Sequence, residues 1–292
     1  MKHQEENAVI KKILVPTDGS PNSLTALDFA VYIARRLGAA LSGLHVVDVG
    51  LIQGPVITDI AGSVGMPPYE GFFDAVEKAL NEKADFILKE FQDRCRRSGV
   101  KSEVRKITGK ISATIIEEAR ETDMIVMARK GEHEHLGEGG ILGSVAEYVV
   151  RNAGKPVMIT PEKFIEIESM GLAYDGSGSA SKALHLGLEL SAQTAWPVTV
   201  ITVSADSQKA AEWAAQVEEV NQKEPDEPPV ADCDIVHFTG KETEDILNFI
   251  KEGAVELMVM GAFGHNRLRE MLLGSTTSQI IRKSPIPVLL IR

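Results

Sequence analysis

The chain has 292 residues, room for about two domains at ~150 residues each. Hydrophobic residues make up 43% and charged residues 25%, which excludes a mainly disordered chain, and 31 basic against 42 acidic residues leave a formal charge of −11, which argues against a nucleic-acid partner. No apolar run approaches the ~20 residues that span a bilayer, the polar start Met1 to Asn7 is no signal peptide, and the lone cysteines Cys95 and Cys233 fit a reduced, cytoplasmic setting with no membrane partner.

The pattern predicts a strand at Lys12–Pro16, then a helix at Asn22–Leu37 whose Leu24, Leu27, Val31, Ala34 and Leu37 form a stripe facing a sheet. A strand at Leu41–Val47 follows. The segment Gly50 to Gly71, with Gly54, Pro55, Gly62, Gly65, Pro67 and Pro68, reads as an excursion: a lid, an interface arm or a plain surface insertion. Next come a helix at Phe72–Ser98, a strand at Ser102–Ile107, a helix at Ser112–Thr122, a strand at Met124–Ala128, a helix at Ser144–Asn152 and a strand at Val157–Thr160. A linker is expected near Pro161 to Ile165. Strands then recur near Ile167–Tyr174, Val198–Val203, Ile235–Phe238, Leu257–Gly261 and Val288–Ile291, and Glu224 to Pro229 is a solvated acidic loop.

The order is a repeat. Asp18-Gly-Ser and Asp175-Gly-Ser each follow an apolar run and precede a helix, and each copy closes with a Gly-Ser-led helix and a proline-led strand. The all-apolar stretches Ile125-Val-Met and Leu257-Met-Val-Met suit strands buried on both faces. Strand alternating with helix gives an α/β fold: two tandem doubly wound, Rossmann-like domains, 1–162 and 163–292, each a five-stranded parallel sheet with helices on both faces.

In such folds ligands bind beyond the carboxyl ends of the strands. The second copy reads Gly261-x2-Gly264-x9-Gly274-Ser275. Gly261 ends a buried strand, where a side chain would obstruct a ligand, and Gly264 can turn its N–H toward an anion. Gly274-Ser275 opens a helix whose free N–H groups favour phosphate, and Ser275, Thr276 and Thr277 add hydroxyls. Asp175 can accept a ribose hydroxyl or hold a metal ion.

This motif, with an upstream strand ending in Asp-Gly-Ser, resembles the universal stress protein family over nearly the whole chain. The resemblance implies a fold like the adenine nucleotide α-hydrolases, binding of ATP or AMP with or without Mg²⁺, and pairing of last strands. It places the adenosine side at Ala173, Asp175, Thr202 and Met260, and the phosphate side at Gly261, Gly264, His265, Gly274, Ser275, Thr276 and Thr277. The first copy keeps Pro16, Asp18, Val46, Gly131, Gly143 and Ser144, but Ala128 replaces the first glycine. Eleven residues separate Gly131 from Gly143, and Glu132, Glu134 and Glu138 bring negative charge there, so the second copy is the stronger candidate.

Other signals read more plainly. Glu132-His-Glu-His135 is a solvated loop rather than a metal site, since no partner cluster stands elsewhere. Gly176 to Ser181 lacks the third glycine of a dinucleotide fingerprint, and no Walker motif is present. His45 fits a satisfied core residue, Trp196 and Trp213 packing residues, and His265 a phosphate hydrogen bond, while Arg267 and Arg269 either steer phosphate or do nothing specific. With no base, nucleophile or arginine finger in evident reach, no catalytic residue and no metal ligand is assigned. The expectation is a nucleotide-binding stress-response sensor or regulator that forms a homodimer. The alternatives are a slow Mg²⁺-dependent ATPase or nucleotidyl transferase, and a nucleotide-free interaction protein.

Overall fold

A computed structural model describes residues 9–48, 50, 72–131, 142–222, 229–262 and 273–292. The first half runs β1 (Lys12–Pro16), α1 (Pro21–Leu37), β2 (Ala40–Asp48), α2 (Phe72–Arg97), β3 (Ser102–Gly109), α3 (Ile111–Ala119), β4 (Met124–Ala128), α4 (Ser144–Asn152) and β5 (Val157–Thr160). The second runs β6 (Met170–Ala173), α5 (Gly178–Thr194), β7 (Val198–Val203), α6 (Ser207–Asn221), β8 (Cys233–Phe238), α7 (Glu242–Lys251), β9 (Leu257–Gly261), α8 (Ser275–Lys283) and β10 (Val288–Ile291).

All ten strands form one sheet, ordered β3-β2-β1-β4-β5-β10-β9-β6-β7-β8. Pairing inside each half is parallel. The halves meet where β5 and β10 pair antiparallel, with Val288 opposite Ile159 and Leu290 opposite Val157. The two five-stranded sheets are therefore halves of one sheet, joined through their last strands.

Helices cover both faces. On one, Leu27 and Ile33 of α1, Phe91 of α2, Leu184 of α5 and Val217 of α6 pack on Ile13, Val126, Leu172 and Val259. On the other, Ile115 of α3, Val149 of α4, Leu247 of α7 and Ile280 of α8 pack on Leu14, Ile125, Met258 and Leu290. Each core layer contains residues of both halves, so the joint is packed as an interior. β4 and β9, with a helix layer on either side, are apolar throughout for that reason.

The linker is strapped down. The Phe164 ring lies 4.9 Å from Phe29 and 5.8 Å from Tyr32, Tyr32 stacks on buried Trp196 at 6.2 Å, and the Tyr32 hydroxyl donates to the Ile167 carbonyl at 2.8 Å. Several expected bounds shift by one to three residues, two of them for visible local reasons. β6 starts at Met170 rather than Ile167 because the Ser169 N–H is taken by the Glu256 carboxylate at 2.9 Å. α3 stops at Ala119 rather than Thr122, whose hydroxyl folds back onto the Ala119 carbonyl at 3.1 Å. Gly50 is described, but 51–71 of the expected excursion and 223–228 of the acidic loop lie outside the described residues. Among the described residues no helix is long and apolar enough to cross a membrane.

Candidate functional site

The chain runs outward from β1 to β2 and β3, then returns to β4 on the other side of β1. The reversal leaves a crevice beyond the ends of β1 and β4, and an equivalent one beyond β6 and β9. The Asp-Gly-Ser turns stand at both. Asp18 Oδ1 accepts the Ser20 N–H at 3.0 Å, and Asp175 Oδ1 accepts the Ser177 N–H at 2.9 Å. Gly19 and Gly176 lie at φ 79° and 74°, where a side chain is strained. Ser20 and Ser177 then cap α1 and α5 by accepting from the Ser23 and Ala180 N–H groups. The motif thus builds the turn that swings the chain from strand to helix and sets each aspartate at its crevice.

A cavity of about 810 Å³ fills the first crevice. Pro16, Thr17 and Asp18 line it from β1, Leu44 to Asp48 from β2, and Met127 to Gly131 from β4. Helix α2 supplies Leu80 and Lys83, the start of α3 supplies Lys110 to Ala113, and α4 supplies Ser144 to Ala146 and Tyr148. Of the expected residues, Pro16, Asp18, Val46, Gly131 and Ser144 line it, as does Ala128, with Gly143 at the N-cap of α4. The Asp18 carboxylate stands 2.9 Å from where a Cβ on Gly131 would sit, so the two motifs meet. Neither α3 nor α4 has a side-chain cap, so two helix starts present main-chain N–H groups here. His45 Nδ1 is 2.8 Å from the Thr17 carbonyl; the ring is satisfied, as expected, but half-buried on the cavity wall.

Arg129 joins the halves. Its guanidinium donates to the carbonyls of Arg282 at 2.7 Å and Ser284 at 2.6 Å, at the C-terminal end of α8. Burial pulls its pKa down and the Glu162 charge pushes it back up. Its own carbonyl accepts the Gly143 N–H at 2.9 Å, which ties the loop after β4 to the start of α4. Gly274 and Ala262 repeat that tie at 3.3 Å, so Ala262 stands where Arg129 does and the clamp has no counterpart.

The second crevice is arranged differently. Ala173 pairs with Met260 across β6 and β9, with Asp175 just beyond. A Cβ on Gly261 would sit 2.5 Å from Ser179 Oγ and 3.0 Å from the Ala180 nitrogen, so this glycine lets the start of α5 approach β9. Gly274 caps α8 without a side-chain bond, and Ser275 opens the helix. The Thr277 hydroxyl donates to the Gly261 carbonyl at 3.1 Å and the Thr276 hydroxyl to Glu242 at 3.0 Å, so both donors are committed to protein. Trp213 packs over the turn, with Nε1 2.5 Å from where a Cβ on Gly176 would sit; Ile87 holds that place over Gly19.

Pro16 pairs with Leu44 and Ala173 with Ile201, so by register Thr202 stands level with His45 and Val203 with Val46. Thr202 is buried, its hydroxyl 2.9 Å from His237 Nδ1. Gly264, His265, Arg267 and Arg269, and likewise Glu132, His133, Glu134, His135 and Glu138, lie outside the described residues. Sequence reasoning missed Lys83, Lys110, Lys130 and Tyr148 as lining residues. Lys110, just past the end of β3, follows from the strand-end rule; nothing in the motif marks Lys83, in mid-helix.

A family model described as the Universal stress protein family matches residues 10–161 and again 166–292. Universal stress protein Slr1230 of Synechocystis sp. is 28% identical over 293 residues, covering 97% of this chain and 100% of that protein. Universal stress protein MJ0531 of Methanocaldococcus jannaschii is 34% identical over 151 residues, 51% of this chain and 81% of that protein. The crystal structure of a universal stress protein from Archaeoglobus fulgidus matches with a TM-score of 0.76 at 24% identity, covering 98% of this chain and 99% of that one, and shows the same fold.

Proposed function

The chain belongs to the universal stress protein family, and from that premise we propose that it binds an adenine nucleotide, ATP or AMP, in the first-half cavity and acts as a stress-response sensor or regulator. The observation that carries the reading is the cavity itself. At about 810 Å³ it is the size of a small-ligand site, and two uncapped helix starts converge on it with Lys83, Lys110 and Lys130. Val46, Val47, Leu80 and Met127 offer an apolar wall for a base, and Asp18 offers an acceptor for a ribose hydroxyl. The second copy keeps the fuller glycine motif, with its Thr276 and Thr277 hydroxyls committed to protein.

Binding rather than turnover is the reading we favour. Main-chain N–H groups and lysines bind phosphate in the ground state and the transition state alike, and uniform binding does not accelerate a reaction. Mg²⁺ fits as a passenger on the phosphates. Among the described residues no three His, Cys, Asp or Glu side chains are grouped to hold a metal by themselves, and Asp48 Oδ1 already accepts the Gly50 N–H at 2.9 Å.

The test is calorimetric titration of ATP·Mg²⁺ into nucleotide-stripped protein, beside Gly131→Asp. That variant sets a second carboxylate against Asp18, within about 3 Å by the Cβ position. Binding by the wild type that is lost in the variant supports the reading. No binding, or binding untouched by the variant, overturns it. Phosphate release at ~1 per second or faster, abolished by Asp18→Ala, would overturn the non-enzymatic part.

A further inference from the structure

The joint between β5 and β10 uses up the last strand of each half, and the sheet ends in two edges, β3 and β8. A strand edge carries a row of unpaired main-chain groups and is a template for a further strand. The Leu41 N–H donates to the Lys101 carbonyl at 2.9 Å, which sets the phase of β3. Glu103, Arg105 and Ile107 turn their main-chain groups inward to β2, and Ser102, Val104, Lys106 and Thr108 turn theirs outward. β3, its flanking turns and α3 lie wholly among the described residues, and among these nothing pairs with the outer side of β3.

This edge is self-complementary. Glu103 and Arg105 lie on the face that carries α3, with side chains 57% and 53% exposed. Glu103 uses Oε1 for Lys12 at 2.6 Å and for Ser42, and Arg105 uses one arm of its guanidinium for Glu118 of α3. A carboxylate and a guanidinium each have capacity for further partners. A second copy turned about a twofold axis perpendicular to the sheet, with Val104 opposite Val104, brings the two β3 strands together antiparallel. The outward groups then meet, and Glu103 of each copy faces Arg105 of the other. These two pairs fall at the non-hydrogen-bonded positions, where opposed side chains approach most closely. A slip of two residues sets Glu103 against Glu103 one way, or Arg105 against Arg105 the other, so charge fixes the register.

The other edge has no such match. Asp232 and Phe238 accept from Val198 and Ser204 of β7, so Cys233, Ile235 and His237 face outward on β8. In an antiparallel pairing of two β8 edges, Asp234 can oppose only Asp232, Asp234, Val236 or Phe238, never a cation.

We propose that two copies of this chain associate through β3, antiparallel about Val104, so that one sheet runs through both. The inference does not rest on the nucleotide reading above. The twofold consumes both β3 edges, so assembly stops at two copies.

The experiment is sedimentation velocity of the full chain over a range of concentrations at low salt, with wild type, Glu103→Arg, Arg105→Glu and Val104→Pro. The wild type should run at the mass of two chains. Each charge reversal turns both cross-strand pairs into like-charge pairs and should weaken dimerisation tenfold or more. An equimolar mixture of the two reversed chains makes every cross-strand pair opposite in sign again, and should restore the dimer. Val104→Pro removes only an outward N–H, so it should keep the wild-type circular dichroism and run as a single chain. A wild type of one chain, assemblies larger than two, or a dimer indifferent to both reversals overturns the proposal. So does a mixture no tighter than either reversed chain alone, because misfolding would then explain the loss.

Discussion

Replacing Arg129 by methionine removes the clamp between the halves and leaves a side chain of similar length. Two charge-assisted hydrogen bonds go, at 2.7 and 2.6 Å, and the carbonyl of buried Ser284 loses its Arg129 donor. The positive charge that complements the C-terminal end of α8 goes as well. Part of the guanidinium's own desolvation is recovered, since burial already lowers its pKa. The net loss should be about 3 kcal/mol. For a chain of this size unfolding as one unit, that is a fall in Tm of roughly 5 °C. Arg129→Lys should lose about half as much, because a single ammonium cannot fork to two carbonyls. Urea unfolding followed by circular dichroism measures both, with the midpoint rather than the slope expected to move. A loss below ~1 kcal/mol in Arg129→Met would refute the reasoning, placing the clamp among exposed surface pairs.

Two further outcomes follow from geometry. Gly176→Ala combines a left-handed backbone at φ 74° with a Cβ 2.5 Å from Trp213 Nε1, so it should cost about 2–3 kcal/mol and shift the tryptophan emission; an unchanged spectrum with wild-type stability would show that the ring is free to move aside. Burial, with the charges of Asp234 and Asp232 added, pushes the Cys233 thiol up to about 11. Its alkylation rate should therefore keep rising tenfold per pH unit from pH 7 past pH 9, whereas a plateau near pH 9 would mean an ordinary exposed thiol.

What was legible in the sequence was what short-range pattern controls. The runs Met124–Ala128 and Leu257–Gly261 could only be strands covered on both sides, and the repeated Asp-Gly-Ser fixed the phase of the duplication. The reading of the glycines was less secure, because one residue type serves two causes. Gly261 looked like space left for a ligand, and the space is occupied by the start of α5. Asp18 and Asp175 looked like ligand contacts, and each also ties its own turn. Arg129, Lys83 and Glu242 escaped notice because their meaning depends on partners far along the chain: Arg129 acts on α8, Lys83 borders a cavity whose other walls come from five other elements, and Glu242 reaches a different helix. Motif spacing carries no information about such meetings.

The antiparallel joint also bears on how the chain is made. β5 and β10 sit in the middle of the sheet, yet roughly 130 residues separate them in sequence. At ~5–20 residues per second the ribosome needs on the order of ten seconds to deliver β10 after β5. During that interval the mostly apolar Val157–Thr160 is an uncovered edge, a template for any extended segment nearby. The nascent first half therefore passes through an aggregation-prone window that closes only when its own second half arrives to cap it.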